Sequence, residues 1–309
     1  MSNPGYPYQN VLWYYRQANY DTCPDVNDTA LPVSAEWHVA RIGTADKHVE
    51  DYSADSVVPT VLWEQVNDYT FHLEYVPQCG DTLITDCINR QSDCTLRSLA
   101  FILGVNTCTV TDDQSWFEIC GAKAKTISLS ASNNNKWVVS IDFSVKSIIT
   151  DGNASFITDD LHNLSHKKPT ALTGEYCGFN VAGSITNNGV AFADIIDSCN
   201  ITVENNLKDR WDHDSLEKQF CLEGKVSVKG SFSMSMDEGG ASHWGDVIDQ
   251  DEFTVRIYLG GSGCPAFTLN NCRWTRSEIS LDVEDDAIME DAPFTSRPTD
   301  ATSIAGKVP

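Results

Sequence analysis

The feature that most constrains the fold is a period of two in the hydrophobic pattern. Apolar and polar residues alternate over residues 127–130, 138–145, 225–236 and 253–259, with turn residues such as Asn133-Asn134-Asn135 between them. Alternation of this kind is typical of strands that bury one face and expose the other to solvent. The sequence therefore predicts a mainly β protein built from antiparallel strands.

Helical spacing occurs in only two short stretches, residues 95–103 and 243–249. In each, apolar residues recur at intervals of three and four: Leu96, Leu99, Ile102 and Leu103 in the first, and Trp244, Val247 and Ile248 in the second. Gly104 directly follows the first stretch and is a residue that commonly ends helices. We predict one short helix in each stretch, among the strands.

The order of these patterns indicates an internal duplication. A Cys followed seven residues later by Ile-Ser-Leu occurs twice, at Cys120 and at Cys272, and a Leu-Gly pair precedes each. Upstream strand patterns keep the same order, with residues 37–42 and 69–75 matching residues 200–203 and the strand around Phe232. The offset between matching elements drifts from about 160 to 152 residues, as expected of an ordered repeat with small insertions.

The duplication predicts two tandem β domains, residues 31–150 and 177–296. Residues 151–176 are polar and form either a linker or an exposed loop, and residues 297–309 form a flexible tail. Residues 1–30 form an arm that carries several Pro and the aromatic residues Tyr6, Tyr8, Trp13, Tyr14 and Tyr15. Because such an arm cannot build its own core, we expect it to pack on its own domain or on a neighbouring subunit.

The charge balance limits the partners of this chain. Its 309 residues contain 44 Asp and Glu against 21 Lys and Arg, a formal net charge of −23. Affinity for nucleic acid comes largely from Lys and Arg that neutralise phosphates, so this balance argues against a protein that grips DNA or RNA. A halophilic source, which favours acidic surfaces, and an acidic surface with a specific role are both open interpretations.

One run of acids stands out near the end of the second domain. Residues 278–291 contain no Lys or Arg and seven acids: Glu278, Asp282, Glu284, Asp285, Asp286, Glu290 and Asp291. The run is either a solvated strand face or an acidic stripe. Repeated around a closed oligomer, such a stripe would line a lumen that repels DNA along its length.

Motifs that carry chemistry are missing from the sequence. The eleven Cys include no C-x-x-C pair, His162 and His166 lack the H-E-x-x-H arrangement, and no Asp-rich turn follows the calcium-loop pattern. There is no G-x-S-x-G nucleophile motif. We therefore predict no catalytic, cofactor-binding or metal-binding residues and no enzyme activity. Most Cys are expected to be small buried residues, with disulfides formed after release from the cell as the alternative.

Two neighbouring stretches resemble the major tail proteins of long-tailed viruses. They are residues 198–211, which contain Asn205-Asn206-Leu207, and residues 222–234, which contain Gly224, Gly230, Ser231 and Phe232. In that family a strand ending in Asn-Asn-Leu leads to a loop, then to a strand with Gly-Ser-Phe or Gly-Thr-Phe, a helix and a further strand. The first half of the chain resembles the same plan.

The resemblance implies two tail-tube-type β-sandwich or barrel domains, each with one short flanking helix. It implies a structural virion protein that is assembled in the host cytoplasm into stacked rings, forming the tail tube through which the genome passes. The partners would be copies of itself, in trimeric pseudo-hexameric or hexameric rings, other tail proteins at the tube ends, and DNA that passes without specific binding. No membrane partner is expected. The arm aromatics would then be contacts between stacked rings, and the acidic run would line the lumen.

The alternative is a carbohydrate-binding β-sandwich from a receptor-binding or baseplate module. Six Trp side chains could stack on sugars in such a module, namely Trp63, Trp116, Trp137, Trp211, Trp244 and Trp274. Most of them fall at positions that also suit a core.

Overall fold

The computed structural model describes residues 11–20, 23–24, 28–34, 36–45, 48–51, 61–64, 67–91, 95–105, 115–150, 169–179, 185–188, 190–191, 195–211, 218–235, 248–249, 251–259, 264, 266–276, 278–280, 289–296 and 304–306. These residues form 21 strands and one short helix. The first half contains β1 (Val11–Gln17), β2 (Leu31–Pro32), β3 (Trp37–Ala45), β4 (His48–Asp51), β5 (Val61–Glu64), β6 (Asp68–Tyr75), α1 (Leu83–Ile88), β7 (Ser98–Val105), β8 (Ser115–Ser132), β9 (Val138–Val145) and β10 (Ser147–Thr150). The second half contains β11 (Ile185–Asn187), β12 (Val190–Ala191), β13 (Ile195–Glu204), β14 (Lys208–Trp211), β15 (Lys218–Leu222), β16 (Ser227–Ser235), β17 (Phe253–Tyr258), β18 (Ala266–Trp274), β19 (Glu278–Ser280), β20 (Met289–Ser296) and β21 (Ile304–Gly306).

The mainly β prediction is confirmed, and the alternating stretches are strands. In β9 the residues Val139, Ile141 and Phe143 are buried, and Asp142 between them is exposed. Asn134 in the turn before β9 has φ of 63°, a left-handed conformation that Asn tolerates better than most residues. The predicted strands at residues 225–236 and 253–259 correspond to β16 and β17.

The prediction of a helix over residues 95–103 is wrong, because this stretch contains strand β7. Its residues from Leu99 to Leu103 are all buried, so both faces of the strand are covered by protein. A continuous apolar run has no clear period, so the pattern cannot separate a strand from a helix there. Helix α1 lies earlier, between β6 and β7. Of the second predicted helix, only residues 248–249 are described, and both are helical.

One large antiparallel sheet, with strands at eight side-by-side positions, runs through both halves of the chain. The strands lie side by side in the order β3, β6, β9, β8, β13, β16 and β20, and β18 and β19 both pair with β20 at the far side. β8 takes part in two sheets, because its first part pairs with β7 and β10 and its second part with β9 and β13. Gly121, at φ of 63°, lies near the end of the first part, and a Cβ there would clash with the carbonyl oxygen of Tyr20.

The same order of strand pairing occurs twice along the chain. In the first half β3, β6, β9, β8, β7 and β1 pair in succession, and β10 lies beside the first part of β8. In the second half β13, β16, β20, β18, β17 and β11 pair in succession, and β21 lies beside the first part of β18. We call these two sets the first and the second repeat.

The ladder registers show which residues are equivalent between the repeats. Ile42 pairs with Phe71 and Ile201 pairs with Gly230, which gives an offset of 159 residues (201 minus 42) for β3 and β13. Leu129 pairs with Val139 and Ile279 pairs with Glu290 at the matching place, which gives an offset of 150 (279 minus 129) for β8 and β19. The sequence match of Ile127 to Ile279 is thus two residues out of register. The error escapes notice because an even shift keeps each residue on the same face.

Each repeat has its own aromatic cluster. Phe71, Phe101 and Phe143 pack together in the first repeat, with ring centroids 4.9 to 5.5 Å apart. In the second repeat the corresponding group is Phe232, Phe253, Trp274 and Phe294. Gly230, which is equivalent to Phe71, leaves room for the ring of Phe294, with which a Cβ at this position would clash.

Candidate assembly edges and the junction between the repeats

The two repeats meet through an ordinary antiparallel ladder between β8 and β13. Seven residue pairs form it, from Ser198 opposite Ser132 to Glu204 opposite Thr126. Ile127 and Leu129 of β8 lie on the buried face together with Ile201 and Val203 of β13. The junction is therefore a continuous sheet with a shared core, and it shows how one repeat of this sequence binds the next.

Two strand edges lack such a partner among the described residues. Among the described strands, β3, the equivalent of β13, pairs with β6 on one side and has no partner on the other. The described part of the chain likewise gives β19, the equivalent of the second part of β8, a partner in β20 alone. An edge strand presents a row of free backbone donors and acceptors and is a template for pairing with another chain. The two open edges are the same two surfaces that join the repeats inside the chain.

The outer face of the eight-position sheet carries mainly short neutral side chains. Its exposed or half-buried hydroxyl and amide residues include Thr70, Ser140, Thr126, Ser128, Ser130, Ser198, Asn200, Thr202, Ser231, Ser233 and Thr295. Charges of both signs lie among them, for example Arg41, Asp142, Lys229 and Asp291. This face is therefore highly polar and carries charges of both signs.

A hairpin of the second repeat, β14 with β15, lies against the first repeat. Just after it, Glu223 accepts hydrogen bonds from Arg90 Nη1 at 2.8 Å, Lys123 Nζ at 2.6 Å and the backbone N–H of Leu96 at 2.7 Å. The Glu223, Arg90 and Lys123 side chains are each only about one-tenth exposed. A largely buried carboxylate with three donors is well compensated for its desolvation.

Lys218 forms a second buried network at the same contact. Its side chain is fully buried, and its Nζ lies 2.9 Å from Asp209, 2.7 Å from Ser144 Oγ and 3.4 Å from Asp68. Ser144 Oγ donates to Asp209 at 2.7 Å. Burial tends to raise the pKa of Asp209, but the hydrogen bonds from Lys218 and Ser144 outweigh it, so the pKa lies below its usual value. The indole N–H of Trp211 also donates to the Asn67 carbonyl, so the hairpin of one repeat is anchored on strands of the other.

The cysteines are divided between disulfides and buried thiols. Disulfides join Cys23 to Cys120 within the first repeat and Cys79 to Cys264 across the two repeats. Five described cysteines are free and buried, namely Cys87, Cys177, Cys199, Cys221 and Cys272. Burial raises the pKa of Cys177 and of Cys221 to about 12, which keeps both thiols protonated and unreactive.

Two groups of potential metal ligands occur in the described part of the chain. Cys79, Cys177 and Cys264 form one and Cys23, Glu118 and Cys120 form the other, each with ligand atoms within 4.8 Å of one another. In both groups two of the three members are joined by a disulfide. Each group therefore offers one free ligand, which is too few to hold a metal ion.

Glu118, the acid of the second group, is buried and incompletely hydrogen-bonded among the described residues. Glu118 is 1 % exposed, and its Oε1 has no hydrogen-bond partner among the described residues. Burial raises the pKa of Glu118 to about 7.

The predicted acidic stripe is divided between the two faces of the sheet. Glu278 and Asp291 are exposed and lie directly opposite each other across β19 and β20. Glu290 is 1 % exposed, so it does not belong to the exposed surface. Asp282, Glu284, Asp285 and Asp286 lie outside the described residues.

The predicted contacts between rings are only partly described. Trp13, Tyr14 and Tyr15 are at most 2 % exposed, and β1, which carries them, pairs with β7 of the first repeat. Residues 11–17 thus form a strand of the sheet, and these three side chains are buried within the chain itself. Tyr6 and Tyr8 lie outside the described residues.

The tryptophans give the carbohydrate alternative no exposed stacking platform in the described part of the chain. Trp137 and Trp274 are buried and Trp211 is half-buried. Trp244 and the side chains of Trp63 and Trp116 are outside what is described. A groove of about 660 Å³ has polar residues such as Glu36, His38 and Asn200 in its lining and no Trp, Tyr or Phe among its described lining residues.

Comparisons with known proteins leave the geometry as the main guide to function. No protein-family model matches the chain, and no curated protein matches it significantly. Among the described residues, no helix has the length and apolar character needed to cross a bilayer.

Proposed function

We propose that this chain is a structural subunit that pairs with copies of itself into closed rings, and that the rings stack into the tube of a viral tail. The observation that carries the proposal is the ladder between β8 and β13, together with the repeated strand order. Each copy contains one such junction and, among its described strands, the two edges that would form another. The kind of ladder that joins the two repeats can therefore also join one copy to the next.

The ladder between β8 and β13 gives the register of the proposed contact between copies. Applying the offsets of 159 and 150 to the pair Ile201–Leu129 places Ile42 of one copy opposite Ile279 of the next. The pair Asn200–Ser130 likewise places Arg41 opposite Ser280. Contacts of this head-to-tail kind close into a ring when the rotation between copies is right, and closure leaves no free strand edge.

Ring size follows from the duplication. Each copy supplies eight strand positions and two repeats, so three copies supply the six repeats of a pseudo-hexamer and a barrel of 24 strands. A barrel this wide leaves an open lumen, since 16 to 18 strands already enclose a channel in other proteins. The sheet's outer face of Ser, Thr and Asn would line it, so DNA could pass without tight binding. A trimeric ring is favoured over a hexameric one.

Cross-linking tests the proposed register directly. The variant Arg41→Cys/Ser280→Cys should form a disulfide between copies under mild oxidation, giving dimers and trimers on a denaturing gel. The matched control is Ser130→Cys/Asn200→Cys, the equivalent pair inside one chain, which should cross-link without a change in mass. The single variants should give no ladder. Electron microscopy of the same preparation should show rings or tubes, and a protein that stays monomeric at all salt concentrations would refute the proposal.

A further inference from the structure

The hairpin of β14 and β15 shows how one repeat grips the repeat before it. It is formed by the chain between β13 and β16, and Glu223 at its end binds Lys123 of β8 and Arg90. The contact lies next to the ladder of β13 on β8. A repeat therefore makes two contacts with its predecessor, an edge ladder and a hairpin fixed by a buried ion pair.

The first repeat has a hairpin at the same place in its topology. β4 and β5 lie between β3 and β6, and they pair in register from His48 opposite Glu64 to Asp51 opposite Val61. Among the described residues this hairpin forms a two-stranded sheet of its own. An isolated two-stranded hairpin is marginally stable in water, so it needs a surface to pack against.

The offsets of 159 and 150 residues identify the charged residues of the other repeat that are equivalent to Glu223 and Lys123. Subtracting 159 from Glu223 gives Glu64, at the end of β5. Adding 150 to Lys123 gives Arg273, which pairs with Thr295 as Lys123 pairs with Ser144. Both the carboxylate and the cation thus recur at equivalent positions of the other repeat.

Arg273 is free to change partner at little cost. It binds Glu252 at 2.6 Å, but its side chain is one-third exposed and that of Glu252 is 44 % exposed. Ion pairs at such exposed positions contribute little to stability. Arg273 is thus more exposed than Lys123 and Glu223, as expected if its burial requires contact with another copy.

We infer that the β4–β5 hairpin clamps the second repeat of a neighbouring copy, with Glu64 of one copy paired to Arg273 of the next. The inference rests on the proposed function, because it assumes that copies are joined by the same rule that joins the repeats. The hairpin forms a second contact beside the edge ladder, and its partner is a second copy of this chain. Bringing the pair together in a largely buried contact makes the assembly depend on the sign of both charges.

Charge reversal tests this clamp. Glu64→Arg and Arg273→Glu should each raise the protein concentration needed for assembly about tenfold or more, because each places like charges in contact. The double variant should restore assembly to near the wild-type concentration. Asp51→Arg, an equal charge change on the same hairpin, is the matched control, and Arg273→Glu should not rescue it. Glu252→Gln should leave assembly unchanged, which separates the proposed pair from the pair inside the chain.

The Arg41→Cys/Ser280→Cys background keeps the two proposals apart. Cross-links between copies in every charge variant, with no change in the assembly concentration, would overturn the clamp and leave the ring intact. A lack of cross-links even without charge changes would overturn the ring and, with it, the clamp. Assembly that is weakened in both single variants and restored in the double variant supports the clamp. A variant that merely misfolds would not be restored by a second charge reversal.

Discussion

The two repeats share one strand order but differ in how their edges are used. In the second repeat β13 is paired on both sides, and the hairpin of β14 and β15 is anchored by Lys218 and Glu223. In the first repeat β3 is paired on one side, and the hairpin of β4 and β5 pairs with itself, within the described residues. The edge that is paired in the second repeat, on β13, has a free side on β3 in the first repeat, among the described strands. The difference teaches that two regions with the same strand order can differ in which of their edges are paired within one chain.

The largest effect is expected at the buried lysine of the second hairpin. Lys218→Met leaves the half-buried Asp209 without its cation and should lower the free energy of unfolding by about 3 kcal/mol. The hairpin should also lose its protection from hydrogen exchange. Urea unfolding and exchange over residues 208–222 measure both. Lys208→Met, an exposed lysine of the same hairpin, is the control and should cost little.

The disulfide between the repeats should matter differently from the one within the first repeat. Cys264→Ser opens the link between Cys79 and Cys264 and should lower stability by about 2–4 kcal/mol. Because the link crosses the junction, calorimetry should show the two repeats unfolding in less cooperative steps. Cys23→Ser opens a link inside the first repeat, and a single transition that shifts to lower temperature is expected. Identical melting profiles for the two variants would contradict this comparison.

Equivalent glutamates should differ in the isolated subunit. Glu223→Gln removes the charge that Arg90 and Lys123 share and should cost about 2–3 kcal/mol. Glu64→Gln should change the stability of the monomer by less than about 0.5 kcal/mol, because its proposed partner is on another copy. Denaturant unfolding below the assembly concentration measures both. Equal losses would show that the two hairpins are used alike within one chain.

The smallest effect concerns the pH dependence of the first repeat. The pKa of Glu118 is raised to about 7 from an ordinary value near 4.5, so the folded state binds more protons than the unfolded state between these values. Its contribution therefore lowers stability as pH rises from about 4.5 to 7, and the loss is complete above pH 7. Glu118→Gln should stabilise the protein at pH 8, by on the order of 1 kcal/mol, and have little effect at pH 4. Melting temperatures across this range measure it, with exposed Glu175→Gln as the control.

Much of the fold could be predicted because strand patterning is local. The alternation around Ile141 and Phe143 predicts β9, and it also predicts which side chains are buried. The strand patterns also predict a repeated order of elements, although sequence identity places Ile279 two residues out of the register that the ladders give. The helix predicted at Leu99 fails because a fully apolar run carries no period.

The candidate site was less accessible to sequence reasoning. Neither Lys218 nor Glu223 belongs to a motif, and their partners Asp68 and Lys123 lie 150 and 100 residues away. The second hairpin gives no local signal, because Lys218 and Cys221 are three residues apart and a regular strand would place them on opposite faces. Both are buried, and the ladder of β14 and β15 has a register shift at this place. The aromatic residues Trp13 to Tyr15 were predicted to pack either at home or on a neighbour, and the first alternative holds in the chain described.

The sequence by itself determined the β class, the faces of the strands and the order of the repeated elements, because these depend on neighbours within a few residues. Only the tertiary structure decided that β13 pairs with β8, that Glu290 is buried while Asp291 is exposed, and that β3 and β19 have a free side among the described strands. The physical reason is that alternation fixes which way a side chain points, whereas a strand's neighbour is chosen by contacts between segments far apart in the chain.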